Sequence, residues 1–358
     1  MKTNILYLLS SYNRFGGTPK KTYDLIKEVE QNNYLYVWTS AYKDEFKQSF
    51  KDICNGVFEG EYGNNLFKHV RHLIKIIDNN NIKIVQSHLF FGEIIAGLIK
   101  YFRPKVKVVF VFEGSLSPPK IRRFFLRILY QKIDLFVYIS KYVKTEKIKD
   151  FPILNKKEGI VIYNGIYNFS SQIKLADKVD KTFHLLSVSS LIKIKNIDVL
   201  IEAVHILIQQ KHNNIHLSIT GEGLEKHNLQ EKVKQYNLSK YITFLGHQKN
   251  VESLLEKTDV FLHPCYIEGF GLAVAEAMVA KRPIVASNSG ALPELITNQK
   301  TGLLVDPFKA EDWATAILKL QEDKEFASQL AIKAHEKATT QFSLKVFSNN
   351  YNKVYQSL

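Results

Sequence analysis

Short apolar runs alternate with longer stretches of helical period from one end of the chain to the other. Runs at 4–9, 34–38, 83–87, 106–112, 134–139 and 159–163 predict strands. KVVFVF and DLFVYIS are almost wholly apolar, the pattern of strands covered by helices on both faces. Between the runs, stretches such as 18–30, 66–79, 91–101 and 120–131 predict amphipathic helices. Around 168–182 the pattern fades into polar NFSSQIKLADKVDK, where an interdomain linker is expected. Alternation then restarts. FHLLSVS, IHLSIT, ITFLG, DVFLH and PIVAS predict strands, with helices near 196–211, 223–237, 249–257, 271–280, 310–322, 324–340 and 343–356. Repeated βα alternation predicts an α/β protein with parallel, doubly wound sheets. The expected domains are 1–170 and 183–340, with a last helix over 341–358 packing back on the first. Two such halves predict a ligand cleft between them.

Composition narrows this picture. The 358 residues suit two domains, and 45% hydrophobic with 23% charged residues is the balance of a folded globular chain. Cys54 and Cys265 make neither a disulfide framework nor a zinc spacing, so a reducing cytoplasm is expected. The opening MKTNILYLLSSYN has too short an apolar run for a signal peptide and reads as a buried first strand. No stretch approaches the ~20 apolar residues that span a bilayer, so any membrane contact is peripheral. A net charge of +14 and a pI of about 9.4 imply an anionic partner or a solvated basic surface. Nucleic acid is disfavoured, because no zinc-finger, RNA-recognition or helix-turn-helix signature is present. The stretch SPPKIRRFFLRILYQKIDLF sets Lys120, Arg122, Arg123 and Arg127 among Phe124, Phe125, Leu126 and Leu129. A basic aromatic helix of this kind suits an anionic membrane surface, although Phe125 and Leu129 would serve equally in a core.

The chemistry concentrates in EGFGLAVAEAM, from Glu268 to Met278. Gly269 and Gly271 let backbone N–H groups approach a ligand, with Phe270 and Leu272 beside them, and a helix N-terminus follows. That suits a diphosphate or a sugar hydroxyl. Glu268 sits in the loop, where it can accept hydrogen bonds from hydroxyls. Glu276 lies one to two turns into the helix, within reach of paired ribose hydroxyls. An amphipathic helix with one solvated glutamate would explain Glu276 alone, but not the Glu-Gly-Phe-Gly loop ahead of it. Lys193 and Lys195 lie in a second strand-to-helix loop, SVSSLIKIKN, where a lysine can neutralise a leaving diphosphate. Gly16 and Gly17 follow the first strand, with Thr18 placed to cap the next helix. His88 closes a strand, Glu113 precedes Gly114 after another, and Gly221 and Gly223 mark a further turn.

These motifs resemble glycosyltransferase family 4, the retaining enzymes of two-domain GT-B architecture. The Glu–seven residues–Glu spacing of Glu268 and Glu276 is similar to the family signature. GHQKNVESLLEKTDVFLHP, KRPIVASNSGALPELI and TGLLVDP resemble the segments around it, so the likeness runs through about 185–325. It implies two Rossmann-like domains, with the acceptor at the first and a nucleotide-sugar, UDP-linked by family frequency, at the second. It implies donor-side roles for Gly16, Gly17, Ser190, Lys195, Gly221, Gly223, Gly269, Phe270, Gly271, Leu272 and Glu276, and catalytic roles for Glu268, Lys195, Glu113 and His88. Retention, an oxocarbenium-like transition state and no need for a metal or other cofactor also come from the resemblance. So does a lipid-linked or other glycan acceptor in cell-surface polysaccharide or glycolipid synthesis, met at the inner face of the cytoplasmic membrane. The chain departs from the pattern at Ser189–Ser190, where the family carries Gly-Arg, and at Glu113, where many members carry His. Those departures leave a non-catalytic nucleotide-sugar-binding partner subunit as the alternative. A nucleotide-sugar epimerase lacks a clear acid/base set here. Ser140 and Asn164–Gly165 are expected to be structural.

Overall fold

The computed structural model describes residues 2–12, 17–38, 45–169 and 182–358. The expected linker falls mostly on 170–181, and Gly16 falls on 13–16; both stretches lie outside the described residues. The chain forms two compact units, Met1–Gly165 with Leu344–Leu358, and Ile166–Ser343.

In the first unit, strands β1 (Asn4–Leu9), β2 (Asn32–Val37), β3 (Gly56–Glu59), β4 (Ile84–His88), β5 (Lys107–Phe112), β6 (Leu135–Tyr138) and β7 (Gly159–Val161) form one sheet. Its order is β3-β2-β1-β4-β5-β6-β7, and every neighbouring pair is parallel. The crossovers are α1 (Gly17–Glu28), α2 (Glu45–Ile53), α3 (Leu66–Asn79), α4 (Leu89–Phe102), α5 (Lys120–Tyr130) and α6 (Lys141–Asp150). The second unit repeats the plan. Its strands are β8 (Phe183–Val188), β9 (Ile215–Thr220), β10 (Ile242–Gly246), β11 (Val260–His263), β12 (Ile284–Ser287) and β13 (Leu303–Val305), in the order β10-β9-β8-β11-β12-β13 and again parallel. Its helices are α7 (Ile197–Gln209), α8 (Lys226–Gln235), α9 (Glu252–Glu256), α10 (Leu272–Val279), α11 (Leu292–Leu295), α12 (Ala310–Glu322) and α13 (Lys324–Gln341). The last helix, α14 (Leu344–Ser357), belongs to the first unit and packs on α1.

Burial explains the apolar runs. β4, β6, β11 and β12 are buried at every position, because helices cover both faces of a parallel sheet. Trp313, Leu200, Leu217 and Leu262 anchor the core of the second unit. Several elements escape the sequence pattern, β3, β13 and α6 among them. β3 is a four-residue edge strand, half-exposed throughout, and β13 is a three-residue edge strand within TGLLVDP, too short to show a period. α6 turns Lys147 and Asp150 inward with Val143, so no apolar stripe marks it.

Two glycines bring the loops of the second unit together. A Cβ on Gly221, at φ +132°, would lie 1.8 Å from the Ser189 carbonyl oxygen. A Cβ on Gly290, at φ +61°, would lie 2.7–2.8 Å from the Glu268 backbone oxygen and nitrogen. Only glycine accepts both the left-handed backbone and the close approach. Gly221→Ala is therefore expected to destabilise the second unit by about 2 kcal/mol or more. Chemical denaturation checks this, and an unchanged unfolding midpoint would contradict so close a contact.

Candidate active site

Ligands of open parallel sheets bind beyond the carboxyl ends of the strands, where the strand order reverses. In the second unit that point lies between β8 and β11. The loops leaving those two strands carry Lys195 and Glu268. Lys195 closes a 3-10 turn after β8, ahead of Asn196, whose left-handed backbone turns the chain into α7. Asn196 Nδ2 donates to the Pro307 carbonyl and ties that turn down. The Glu268 loop is fixed from the other side: Ser289 Oγ donates to the Tyr266 carbonyl and Ala291 N–H to the Glu268 carbonyl.

Held this way, Glu268 Oε2 accepts from Lys195 Nζ at 2.7 Å and from His263 Nε2 at 2.9 Å. His263 ends β11, and its buried Nδ1 has no hydrogen-bond partner among the described residues. Burial pushes the Glu268 carboxyl up, but His263 and Lys195 outweigh it and hold it well below the usual range. Burial alone would lower Lys195, yet Glu268 raises it, so both stay charged. Cys265 lies in the same loop, and burial pushes its thiol up to about 12. His263, Cys265 and Glu268 have ligand atoms within 4.8 Å of one another. A divalent metal there would face the Lys195 ammonium on the same carboxylate oxygen, so this trio fits a metal poorly.

The neighbouring expected residues divide by what they do. Gly271 is left-handed and opens α10, with half-buried Leu272 at its first position and half-buried Glu276 on its second turn. Phe270 is buried edge-on against Phe342, so only its backbone is left for a ligand. Gly269 lies in the bend between. Ser190 is exposed, while the Ser189 hydroxyl is buried without a partner among the described residues. Gly221 and Gly223 both abut the 189–191 backbone, so they shape the Lys195 loop from behind.

The first unit assembles a second charged cluster at its own switch point, between β1 and β4. Glu113 follows β5, and both of its oxygens accept from Lys21 Nζ of α1. Glu113 Oε1 also meets His88 Nδ1 at 2.6 Å. The Lys21 and His88 side chains are 4% and 1% exposed against 11% for Glu113, the most exposed of the three. Gly114, beside it, would meet nothing within 4 Å if it carried a Cβ. Gly17 begins α1, the helix that delivers Lys21. Sequence reasoning did not single out Lys21 or His263. Lys21 shares the buried face of α1 with Thr22, Leu25 and Ile26, and a lysine on that stripe was the available signal. His263 is a polar residue ending an otherwise apolar strand. Ser140 caps α6 through a bond from Val143 N–H.

Burial raises the Glu113 carboxyl, but Lys21 and His88 outweigh it and hold it at about 2, below its ordinary 4.5. A carboxyl depressed by folding contributes stability above its unfolded value and loses it as pH falls through the folded one. Stability is thus expected to drop between about pH 4.5 and 2, by on the order of 3 kcal/mol from Glu113. Glu268 acts in the same direction. Thermal unfolding across that window checks the sign, and Glu113→Gln should flatten the slope.

Residues 169–337 match the family of glycosyl transferases group 1, and residues 15–167 match glycosyltransferase family 4. The chain is 26% identical over 322 residues to an uncharacterized glycosyltransferase, MJ1178, of Methanocaldococcus jannaschii, covering 84% of this chain and 87% of that one. It is 26% identical over 229 residues to the poly(ribitol-phosphate) alpha-N-acetylglucosaminyltransferase of Staphylococcus aureus, covering 61% and 46%. In fold it is similar to a glycosyltransferase from Rickettsia africae, with TM-score 0.85, 19% identity and coverage of 99% and 98%. It is also similar to HepE of Anabaena crystallised with UDP, with TM-score 0.84, 19% identity and full coverage of both chains. These structures share the two parallel-sheet α/β domains of the GT-B fold. With both halves matched by family models, the chain belongs to the family 4, group 1 glycosyltransferases and is a transferase enzyme.

Proposed function

We propose that the protein is a retaining glycosyltransferase that moves a sugar from a UDP-sugar onto a glycan or lipid-linked acceptor of the cell surface. The observation that carries this reading is the meeting of Lys195 and Glu268 at the switch point of the second sheet, with Glu276 on the helix that follows. In this reading Lys195 leaves Glu268 to neutralise the departing diphosphate, and Glu268 turns to the sugar hydroxyls. Glu276 holds the ribose, and the N-terminus of α10 faces the phosphates. Structures of HepE with UDP and with UDP-glucose favour a uridine donor. The staphylococcal enzyme and an O-antigen biosynthesis glycosyltransferase, WclY of Escherichia coli, favour a surface-polymer acceptor. On the acceptor side, Glu113 is the group positioned to accept a hydroxyl.

Nucleotide release from UDP-, GDP- and ADP-sugars, with and without a lipid-linked acceptor, tests the proposal. Release from a UDP-sugar is expected, unaffected by EDTA. Glu268→Ala should lower it by roughly 100-fold or more, the scale of removing one preorganised electrostatic group. Binding without release under every acceptor would favour a non-catalytic partner subunit instead.

Membrane contact is the second part of the proposal. Among the described residues, no helix is long and apolar enough to cross a membrane. α5 instead exposes Phe124, Phe125 and Ile128, at 64%, 62% and 53%, while Leu126 and Tyr130 enter the core. The stretch around it, from Gly114 to Ile133, carries five basic residues and no acidic one. An apolar cavity of about 430 Å³ opens beside them, lined by Ile94, Phe125, Leu126, Ile128 and Leu129. Exposed aromatics on a basic helix bind anionic lipid interfaces. Sedimentation with phosphatidylglycerol vesicles is expected, with roughly tenfold weaker binding for the double change Phe124→Ser and Phe125→Ser. Equal binding of both proteins would rule α5 out as the contact.

A further inference from the structure

One sheet face of the first unit carries a continuous run of polar side chains that extends well beyond Glu113. Gln86 and His88 are two apart on β4 and so share a face. Tyr7 of β1 lies opposite Gln86 in the parallel register. From α14, Tyr355 OH donates to Gln86 Oε1 at 2.7 Å and accepts from Tyr7 OH at 3.2 Å. Gln86 Nε2 lies 3.2 Å from His88 Nε2. All four side chains are buried, with Gln86 and Tyr7 fully so.

The direction of each bond follows from elementary chemistry. An amide nitrogen only donates, so with Gln86 Oε1 taken by Tyr355, His88 Nε2 must accept from Gln86 Nε2. A neutral imidazole that accepts at Nε2 carries its proton at Nδ1. That proton points at Glu113 Oε1, 2.6 Å away. The opposite polarity is self-consistent only with a charged ring: Gln86 reversed, His88 protonated at both nitrogens. His88 is 3% exposed, and burial holds its ring below the ordinary value despite Glu113, with Lys21 adding to the effect. Among the described residues, Tyr351, also of α14, faces Glu113 as well.

We propose that Gln86 and Tyr355 are positioning residues, which lock His88 as the neutral Nδ1–H tautomer and so fix Glu113 as an oriented carboxylate facing an acceptor hydroxyl. The inference rests on the glycosyl-transfer reading for the hydroxyl, but the tautomer does not depend on it. It also makes α14 part of the acceptor side, because Tyr355 is a buried residue of that helix. His88 itself is excluded as a base acting through Nε2, since Gln86 already occupies that lone pair.

The test combines ring-nitrogen spectroscopy with kinetics on the full chain. In the wild type, 15N shifts of His88 should report a neutral Nδ1–H ring from pH 6 to 8. Tyr355→Phe frees the amide to reverse and should move the ring toward imidazolium. Gln86→Glu, close to isosteric, sets a carboxylate against Nε2 and should complete that change, which covers the case where the tyrosine variant folds poorly. Both variants should raise the acceptor KM or lower kcat by about tenfold, the weight of one hydrogen bond to a charged group, with donor affinity unchanged. A wild-type ring that is Nε2–H or imidazolium would overturn the proposal. So would variants that shift the ring yet leave acceptor kinetics untouched. Failure of the glycosyl-transfer reading would show separately, as wild-type protein that turns over no donor.

Discussion

A carboxylate kept ionised below the surface by one lysine and one histidine is the constraint around which each unit is arranged. In the first unit the carboxylate is Glu113, with Lys21 and His88; in the second it is Glu268, with Lys195 and His263. Both histidines are the last residue of the strand just across the switch point, β4 in one sheet and β11 in the other. Both lysines come from the segment after the first strand, a helix in one case and a 3-10 turn in the other. Such ion pairs contribute little to net stability, because desolvating two charges offsets most of their attraction, and a packed apolar pair would serve folding as well. Charges held in this way, at the ends of parallel strands, are better understood as groups poised for a ligand.

The two clusters differ in how they are wired, and the difference bears on their work. His263 donates to Glu268 through Nε2 and leaves its Nδ1 unpaired. His88 donates to Glu113 through Nδ1 and has its other nitrogen capped by Gln86. On the proposed reading the Lys195 side chain of the second cluster can swing toward an anion while the loops that carry the cluster stay tied. The first is braced through two strands and the last helix, and it keeps one geometry. A leaving group whose charge develops during reaction calls for the former, and a hydroxyl that must be aimed calls for the latter.

Much of this was legible from residues alone, for identifiable reasons. Fully buried parallel strands leave long apolar runs, so the doubly wound plan followed directly from KVVFVF or DVFLH. The Glu268 loop was legible because a carboxylate beside two glycines, between a strand and a small-residue helix, forms a compact motif, although left-handed Gly271 is needed by the turn into α10 as well. Edge strands β3 and β13 were not, because exposure erases alternation. Lys21, Gln86 and Tyr355 were missed for a different reason. Their partners are 92, 269 and 348 positions away or lie at the far end of another element, and pairing at that distance leaves no local pattern. What each did leave was a polar residue on a buried stripe, such as Gln-Ser-His closing a strand that should have been apolar to its end.

The chain's departures from its family also take on physical sense. On the proposed glycosyl-transfer reading, with Ser190 at the position where the resemblance implies arginine, the cluster of the second unit sets Lys195 and His263 against Glu268 and offers a diphosphate little surplus charge. On that reading, oriented backbone meets part of the need. The first turn of α10 has N–H groups with no partner inside the helix, and left-handed Gly271 lets the chain turn sharply into it. Gly290 and Ser289 clamp the preceding loop so that this turn cannot drift. A rigid dipole spends no reorganisation on binding, whereas a long arginine must be immobilised first. On that reading the tight glycine contacts of the second unit serve electrostatics as well as packing, since they fix the backbone donors at the start of α10.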